Sequence, residues 1–346
     1  MTASISLSDL GWRPFFQQQL SLEEFETLVP ARIIEQHKSM ITVASADGIL
    51  SLALHHSMPA MVVGDWILLD KDNRFRRLLE RLTCFKRKAA GDKLDWQLIS
   101  ANVDTAFILS SANEDFNPSR IERYLALVNE AGAEGVIVIS KSDLADAPEE
   151  FVARLHKLDS HLCVETINCL DPNSVSRLKP WLKTGSTVVV LGSSGVGKSS
   201  LINTLLGEEK QETAGIREDD AKGRHTTTRR SLIAIPGGGL ILDTPGMREI
   251  QLADSSDGIA RTFSDIEALA RQCRYQDCQH QREPGCAVKS AIESGKLEQR
   301  RLDNYHKLLR EEASNSASLA EKRAKDKARG KFYKRTMSDA LKLKGR

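Results

Sequence analysis

The chain contains 346 residues, of which 40% are hydrophobic and 28% are charged, and its formal net charge is +2. This length exceeds what a single core usually serves, so about two or three domains are expected. A nearly balanced charge identifies no class of partner. The sequence has no run of about 18 apolar residues, which argues against a membrane-spanning helix. Residues 1–20 lack the apolar core of a secretory signal, so we expect a cytoplasmic protein with no membrane partner.

The first 98 residues divide into a lead-in segment, 1–30, and a region of short apolar segments, 31–98. The lead-in contains an amphipathic stretch, 15–28, which predicts helix, and we assign it no chemistry. Turn residues separate the apolar segments of 31–98, which is typical of closely spaced strands. A small β-barrel is therefore expected, and a five-stranded OB-type barrel, a fold that binds nucleic acid, is one option.

Basic residues cluster near the end of this region. They fit contact with a nucleic-acid backbone, but a solvated polar face has the same composition, and both interpretations stay open. The cluster consists of Arg74, Arg76, Arg77, Arg81, Lys86, Arg87 and Lys88.

From residue 99 the pattern becomes an alternation of strands and helices. Strands are predicted at 103–109, 135–139, 162–167 and 187–191, helices at 120–131, 148–158 and 201–206, and two further strands at 230–235 and 239–242. Alternation of this kind predicts a mostly parallel sheet with helices on both faces.

A glycine-rich loop between the strand at 187–191 and the helix after it matches the phosphate-loop pattern Gly-x-x-x-x-Gly-Lys-Ser. Its backbone N–H groups would cradle phosphate oxygens at the helix N-terminus. Lys198 would reach the β- and γ-phosphates, and the Ser199 hydroxyl would bind Mg²⁺. The predicted phosphate site comprises Gly192, Ser193, Ser194, Gly195, Val196, Gly197, Lys198, Ser199 and Ser200.

A second acidic position lies at the end of the later strand at 239–242. Asp243 begins the turn Asp243-Thr244-Pro245-Gly246. An acidic residue at a strand end beyond a phosphate loop can hold Mg²⁺ directly or through water. Asp243 is therefore the second predicted magnesium residue, beside Ser199.

The segment Ser140-Lys141-Ser142-Asp143 follows the strand at 135–139. It resembles the Asn-Lys-x-Asp guanine motif of GTPases, with Ser140 where the asparagine usually stands. The Asp143 carboxylate can accept two hydrogen bonds from guanine, whereas adenine offers no such pair of donors. The Lys141 stem can cover a face of the base. These four residues complete the predicted GTP site.

The order of the motifs is permuted relative to ordinary GTPases, because the guanine motif precedes the phosphate loop and Asp243-Thr244-Pro245-Gly246 follows it. In this order the sequence resembles the RsgA (YjeQ) family of GTPases that depend on the small ribosomal subunit. The resemblance implies a circularly permuted GTPase domain over 99–250, after an OB-fold domain over 31–98. It also implies GTP hydrolysis on the small (30S) subunit, assistance in its late maturation, and release on hydrolysis.

The residues expected to act in hydrolysis are less well defined. Met247 stands where many GTPases place a glutamine that orients water, so hydrolysis should be slow without a partner. By resemblance, residues 223–228 form the first switch region. His225 is the candidate for orienting the water, and Thr226 or Thr227 would cap Mg²⁺ and the γ-phosphate. Arg224 or Arg229 is a further candidate for stabilising charge.

Three cysteines and a histidine lie close together at Cys273, Cys278, His280 and Cys286. Four such ligands with no open position describe a structural tetrahedral zinc site. The resemblance implies the same site, in a helical zinc-binding domain over 251–321 with helical spacing at 287–312. The remaining cysteines, Cys84, Cys163 and Cys169, are interpreted as ordinary thiols.

The basic tail, 322–346, contains eleven Lys or Arg against two Asp, a formal charge of +9, with Phe332 and Tyr333 among them. Such a tail suits ribosomal RNA, although a disordered solubilising tail has the same composition.

The whole sequence therefore indicates a monomeric GTPase with one zinc ion, Mg²⁺ bound with GTP, and the small subunit and its rRNA as partner. Two alternatives stay open at this point. One is a generic P-loop NTPase that uses ATP, and the other is an RNA-binding protein with a nucleotide-dependent latch.

Overall fold

The computed structural model describes residues 6–88, 96–207, 230–243, 255–313 and 315. The lead-in forms two short helices, α1 (Pro14–Gln17) and α2 (Leu22–Thr27), in place of one continuous amphipathic helix. Ser21 is the N-cap of α2 and forms a capping box with Glu24. The Ser21 hydroxyl accepts from the Glu24 backbone N–H, and the Ser21 N–H donates to the Glu24 carboxylate. The lead-in is packed, since Phe16 is 1% exposed and contacts Trp66.

The strands of the first hundred residues pair in an antiparallel manner. They are β1 (Val29–Gln36), β2 (Met40–Ser45), β3 (Gly48–Ala53), β4 (Trp66–Leu69), β5 (Phe75–Leu78), β6 (Cys84–Lys88) and β7 (Trp96–Ala101). β1 pairs with β2 and β4, β2 with β3, β4 with β5, and β6 with β7. Among the described residues no backbone pairing joins β3 to β5, so a closed OB-type barrel remains a prediction.

The second region alternates strands and helices as predicted. Its elements are β8 (Thr105–Ser111), α3 (Pro118–Ala131), β9 (Glu134–Ser140), a 3₁₀ turn (Ser142–Leu144), α4 (Pro148–His156), β10 (Cys163–Thr166), α5 (Pro172–Val175), a 3₁₀ segment (Ser176–Trp181), β11 (Thr187–Gly192), α6 (Lys198–Leu206), β12 (Arg230–Ala234) and β13 (Leu240–Asp243). The sequence pattern did not predict α5 or the 3₁₀ segment after it.

These strands form the central sheet in the order β10-β9-β8-β11-β13-β12. The first five of them are parallel, and β12 runs antiparallel to β13. β1 then pairs with β12, so one sheet continues into the N-terminal strands through the pairs Glu35–Ser231 and Gln36–Arg230. The mostly parallel sheet expected from the sequence is confirmed.

Successive side chains of a strand point to opposite faces of the sheet, so the buried strands contribute to two hydrophobic cores, one on each face. On one face, Ile108 and Ile137 pack with α3 and with the C-terminal helices. On the other face, Phe107 and Val136 pack with Leu201 and Leu206 of α6. The sheet is therefore covered on both faces, as predicted.

The C-terminal part is helical, with α7 (Ser256–Thr262), α8 (Ser264–Ala270), α9 (Ala287–Glu293) and α10, residues 299–313. α7 lies against α3 so closely that a Cβ on Gly258 would stand 2.2 Å from the Ala126 carbonyl oxygen. Within the described residues, no helix is both long enough and apolar enough to cross a membrane.

Candidate functional site

The glycine-rich loop joins the fully buried strand β11 to α6. Gly192, Gly195 and Gly197 have φ angles of +143°, +76° and +100°, a region that side chains with a Cβ rarely adopt. A Cβ on Gly192 would also lie 2.6 Å from the Leu109 carbonyl oxygen of β8. The loop conformation therefore requires glycine, which explains the motif in physical terms.

Lys198 is the first residue of α6, and its ammonium group turns back over the loop. Its Nζ donates to the carbonyl oxygens of Gly192, at 2.9 Å, and of Ser193. Ser194 and Gly195 are exposed at the tip of the loop, while Ser199 and Ser200 are half-buried in the first helical turn. The loop thus presents its backbone, the lysine and the helix N-terminus at one place, which is the geometry of an anion site.

The Lys-Ser-Asp segment lies beside this loop at the same edge of the sheet. Ser140 ends β9 fully buried, and its hydroxyl donates a 2.6 Å hydrogen bond to the Val196 carbonyl oxygen of the glycine-rich loop. Lys141 has a φ of +57° and begins the exposed turn that presents Asp143. The two segments are 56 residues apart in sequence, and the fold joins them directly.

A third segment, after β10, completes this edge. The Ser142 N–H donates to the Ile167 carbonyl oxygen at 3.3 Å, and Thr204 of α6 donates to the Cys169 carbonyl oxygen at 2.7 Å. Burial raises the pKa of the Cys169 thiol to about 12, so this cysteine is an unreactive packing residue beside Gly197. Ligand sites of open parallel sheets lie at the carboxyl ends of the strands, where these three segments meet.

Asp243 is the last residue of β13, which is parallel to β11 through the pairing of Leu242 with Val189. Its backbone therefore ends at the edge that carries the glycine-rich loop. Ser199, the other predicted magnesium residue, is described, but the Asp243 side chain, the predicted switch residues and the turn after Asp243 lie outside the part of the chain that the structure describes. These are Arg224, His225, Thr226, Thr227, Arg229, Thr244, Pro245, Gly246 and Met247.

The cysteine and histidine residues predicted to bind metal come together at one point. The ligand atoms of Cys273, Cys278, His280 and Cys286 all lie within 4.8 Å of one another. The His280 Nδ1 atom is 3.6 Å from the Cys273 sulfur and 3.5 Å from the Cys286 sulfur, and these two sulfurs are 3.9 Å apart. A tetrahedral zinc ion places its ligand atoms roughly 3.5–3.8 Å apart. The cluster is therefore compatible with zinc.

The close approach of the sulfur atoms changes the pKa values of two of the thiols. Burial, together with the neighbouring Cys286 and Cys273 sulfurs, raises the pKa of Cys278 to about 11. Burial also acts to raise the pKa of Cys273, but hydrogen bonds from the Val288 and Ala287 backbone outweigh it, so that this pKa is lowered. Three thiolates this close repel one another, and a bound divalent ion removes that cost.

Comparison with known proteins places this architecture in a family. The RsgA GTPase family model matches residues 78–253. A curated protein of Vibrio vulnificus, named small ribosomal subunit biogenesis GTPase RsgA 2, is 56% identical over 346 residues, which covers 99% of each chain. The chain belongs to the RsgA GTPase family. The homologue from Xanthomonas axonopodis, small ribosomal subunit biogenesis GTPase RsgA, is 45% identical over 315 residues, covering 88% of this chain and 86% of that one.

Solved structures of similar fold agree with this RsgA-type architecture. YjeQ from Thermotoga maritima has a TM-score of 0.61 at 24% identity, covering 81% of this chain and 97% of that chain. YloQ, described as a circularly permuted GTPase, has a TM-score of 0.59 at 23% identity, covering 82% and 94%. The circularly permuted GTPase fold inferred from the order of the motifs is therefore confirmed.

One neighbour of the glycine-rich loop was not found from the sequence. Arg120, in the first turn of α3, donates from Nη1 to the Ser193 hydroxyl at 2.6 Å and to both carboxylate oxygens of Asp115. The sequence pattern assigned this helix only to the core. An arginine in the first turn of a helix that begins with Asn-Pro, after a strand of a parallel sheet, is the signal that could have drawn attention to it.

The basic cluster of 74–88 proves to be partly paired. Arg77 donates to the Glu24 carboxylate, and Arg81 forms a bidentate pair with the fully buried Asp65. Arg74 and Arg76 form surface ion pairs with Asp72 at 3.8 Å and with Asp70 at 2.8 Å, and their side chains remain 75% and 56% exposed. Lys86 lies over the ring of Trp96 at 4.7 Å. Arg77 and Arg81 are thus structural, and fewer cations than expected are available to a partner.

Proposed function

We propose that this protein is a GTPase that binds the small ribosomal subunit as a monomer in the cytoplasm. It hydrolyses GTP on the subunit, assists late maturation, and leaves when hydrolysis is complete. The observation that carries the proposal is the hydrogen bond between Ser140 and Val196, which joins the guanine-type segment to the phosphate-type loop at one sheet edge. Membership of the RsgA family and the printed names of its relatives support the role on the subunit.

In this proposal the phosphates lie in the loop from Gly192 to Ser200. Lys198 exchanges its contacts with loop carbonyls for the β- and γ-phosphate oxygens, because an anion competes strongly for an ammonium group. Ser199 and Asp243 would hold Mg²⁺, which would supply positive charge to neutralise the phosphates.

The base lies over the exposed turn after β9. Asp143 accepts hydrogen bonds from the guanine N–H groups, and the aliphatic stem of Lys141 covers the ring. Ser140 is too deeply buried to reach the base, so it contributes by holding the turn against the phosphate loop.

Hydrolysis in this proposal needs the switch residues and the partner. His225 would orient the attacking water, and Thr227 would help to hold Mg²⁺ and the γ-phosphate. Met247 has no group that orients water, so turnover stays slow until the subunit is bound.

The cysteine–histidine cluster would hold one structural zinc ion through Cys273, Cys278, His280 and Cys286. Zinc there has no open coordination position, so its contribution is to fold the segment 273–286 and orient the helices on either side of it. It takes no part in GTP chemistry.

Contact with ribosomal RNA is assigned to the N-terminal strands, which we propose form an OB-type barrel, and to the basic tail 322–346. Lys86 and Trp96 offer a cation over an aromatic ring on the β6–β7 hairpin. The exposed Arg74 and Arg76, just before and within β5, offer two further cations.

The test is GTP turnover by the purified protein, alone and with isolated small ribosomal subunits, with ATP as the control nucleotide. We expect slow turnover alone, strong stimulation by subunits, and no comparable use of ATP. A Lys198→Ala variant should abolish turnover in both conditions. Equal use of ATP would contradict the guanine assignment, and a lack of stimulation would contradict the role of the subunit.

A further inference from the structure

The first turn of α3 and the connection before it contact the glycine-rich loop, which we also call the phosphate-type loop. The proposed mechanism gives this contact no role. The Arg120 Nη1 atom lies 2.6 Å from the Ser193 hydroxyl oxygen and 2.9 and 3.0 Å from the two carboxylate oxygens of Asp115. Ser193 is the second residue of the loop and stands 73 residues later in the chain. The contact therefore exists only in the folded protein.

Arg120 is held in place by its own surroundings. Its backbone N–H donates to the side chain of Asn117, which caps α3, at 3.2 Å. The Asp115 N–H donates to the Asn113 side chain at 3.0 Å, and the Ser111 hydroxyl donates to the same oxygen at 2.7 Å. The guanidinium is thus anchored through the β8–α3 loop to the end of the buried strand β8.

Ser193 connects this anchor to the lysine of the loop. Its hydroxyl accepts from Arg120, while its backbone carbonyl accepts from Lys198 Nζ. A shift of Ser193 would therefore displace an oxygen that positions Lys198. The loop needs such support, because three of its residues are glycines at positive φ, and glycine gives up more conformational freedom on ordering than any other residue.

We propose that Arg120 is a positioning residue for nucleotide binding, which acts through Ser193 on the loop and on Lys198. It holds the first part of the loop in the conformation that receives phosphate, so less ordering remains to be done when the nucleotide binds. Asp115 holds the guanidinium at Ser193. This inference rests on the proposed nucleotide site.

A double-mutant cycle on the full chain tests the proposal, with GDP and a non-hydrolysable GTP analogue as probes in a calorimetric titration. Arg120→Ala and Ser193→Ala should each weaken binding about fivefold to tenfold, the effect of losing one partly exposed hydrogen bond to a charged group. The double variant should bind no more weakly than either single variant, since both remove the same contact. Asp115→Asn should weaken binding to a lesser degree while leaving Arg120 and Ser193 in place.

Arg123→Ala is the matched control, because Arg123 lies three positions further on the same helix and pairs with Glu311 instead of the loop. It should bind both probes like the unmodified protein. In turnover assays Arg120→Ala should raise KM for GTP by the same factor as the affinity loss, which a general loss of folded protein would not do.

The outcomes separate this proposal from the one it rests on. If the unmodified protein binds neither probe, the proposed nucleotide site is wrong. If it binds both and Lys198→Ala does not, but Arg120→Ala binds normally, only the role of Arg120 is overturned. Additive losses in the double variant, or an equal loss in Arg123→Ala, would also overturn it.

Discussion

At the scale of single residues, Ser140 shows how a short side chain can span two loops. It stands where related guanine motifs have asparagine, and its hydroxyl reaches the Val196 carbonyl oxygen at 2.6 Å because the backbones approach closely. Its Cβ lies 4.0 Å from the position that a Cβ would occupy on Gly197. That distance is an ordinary van der Waals contact, so position 197 requires glycine for its φ of +100°, and the hydrogen bond of Ser140 joins the two segments.

Ser140→Ala is expected to lower the free energy of unfolding by about 1–2 kcal/mol, because a buried carbonyl loses its partner. It should also weaken GDP binding several-fold, since the guanine-type turn is no longer held to the loop. Chemical denaturation and a GDP titration measure the two effects. Ser45→Ala, which removes a buried hydroxyl that donates to the Gly48 carbonyl oxygen in the N-terminal strands, is the control and should leave GDP affinity unchanged. Normal GDP affinity in Ser140→Ala would contradict the bracing role.

At the scale of elements, α3 connects the two ends of the GTPase-type domain. Its first turn contacts the phosphate-type loop through Arg120, and the next turn binds the C-terminal helices. Glu122 is 1% exposed and accepts hydrogen bonds from Arg300, Arg301 and Asn304 of α10. Burial alone would lower the pKa of Arg301, but its bonds to Asp265 and Glu122 raise it, so this buried guanidinium stays charged.

Glu122→Ala is expected to destabilise the protein by about 3–5 kcal/mol, because it removes the carboxylate that Arg300 and Arg301 share. The loss should appear as a lower midpoint in urea denaturation. Glu311→Ala, which breaks the half-exposed pair with Arg123, is the control and should cost about 1 kcal/mol or less. Similar losses of unfolding free energy in the two variants would show that the buried Glu122 pairs do not hold α10 to α3 more strongly than the Arg123–Glu311 pair does.

At the scale of the whole molecule, the sheet and the cysteine–histidine cluster hold different parts of the chain. The sheet is continuous from β10 to β3 through the β1–β12 pairing, so the N-terminal strands and the GTPase-type strands share backbone hydrogen bonds. The segment between α8 and α9 has mostly exposed residues and no regular helix or strand among its described positions. The Glu283 carboxylate accepts from the backbone N–H groups of Gln279, Gln281 and Arg282, and a metal ion held by the four ligands would add the main cross-link of this segment.

Removal of the metal should therefore unfold the C-terminal part selectively. We expect about one zinc ion per chain by elemental analysis, and its removal by a strong chelator should increase amide hydrogen exchange in α9 and in residues 271–286. The strands β8 and β11 should keep their protection. Cys278→Ser should lower the zinc content, whereas Cys163→Ser, at an exposed thiol outside the cluster, should leave it unchanged. Unchanged exchange after metal loss would contradict the structural role.

The sequence by itself determined the features that depend on local pattern. Apolar runs located the parallel strands, and glycines marked the loop that needs positive φ. Three cysteines and one histidine predicted a metal site, and their ligand atoms lie within 4.8 Å of one another. The order of the motifs also indicated the circular permutation, because order is a property of the chain itself. The break between α1 and α2 was missed, since a local capping box overrode the amphipathic pattern.

Only the tertiary structure decided which of these features touch one another. The bonds of Ser140 to Val196, Arg120 to Ser193 and Arg300 to Glu122 join residues 56, 73 and 178 positions apart. The pairing of β1 with β12, and the ion pairs of Arg77 with Glu24 and of Arg81 with Asp65, are likewise non-local. Periodicity and backbone preference act over a few residues, whereas such contacts depend on which strand ends and helix faces the packing of the sheet brings together.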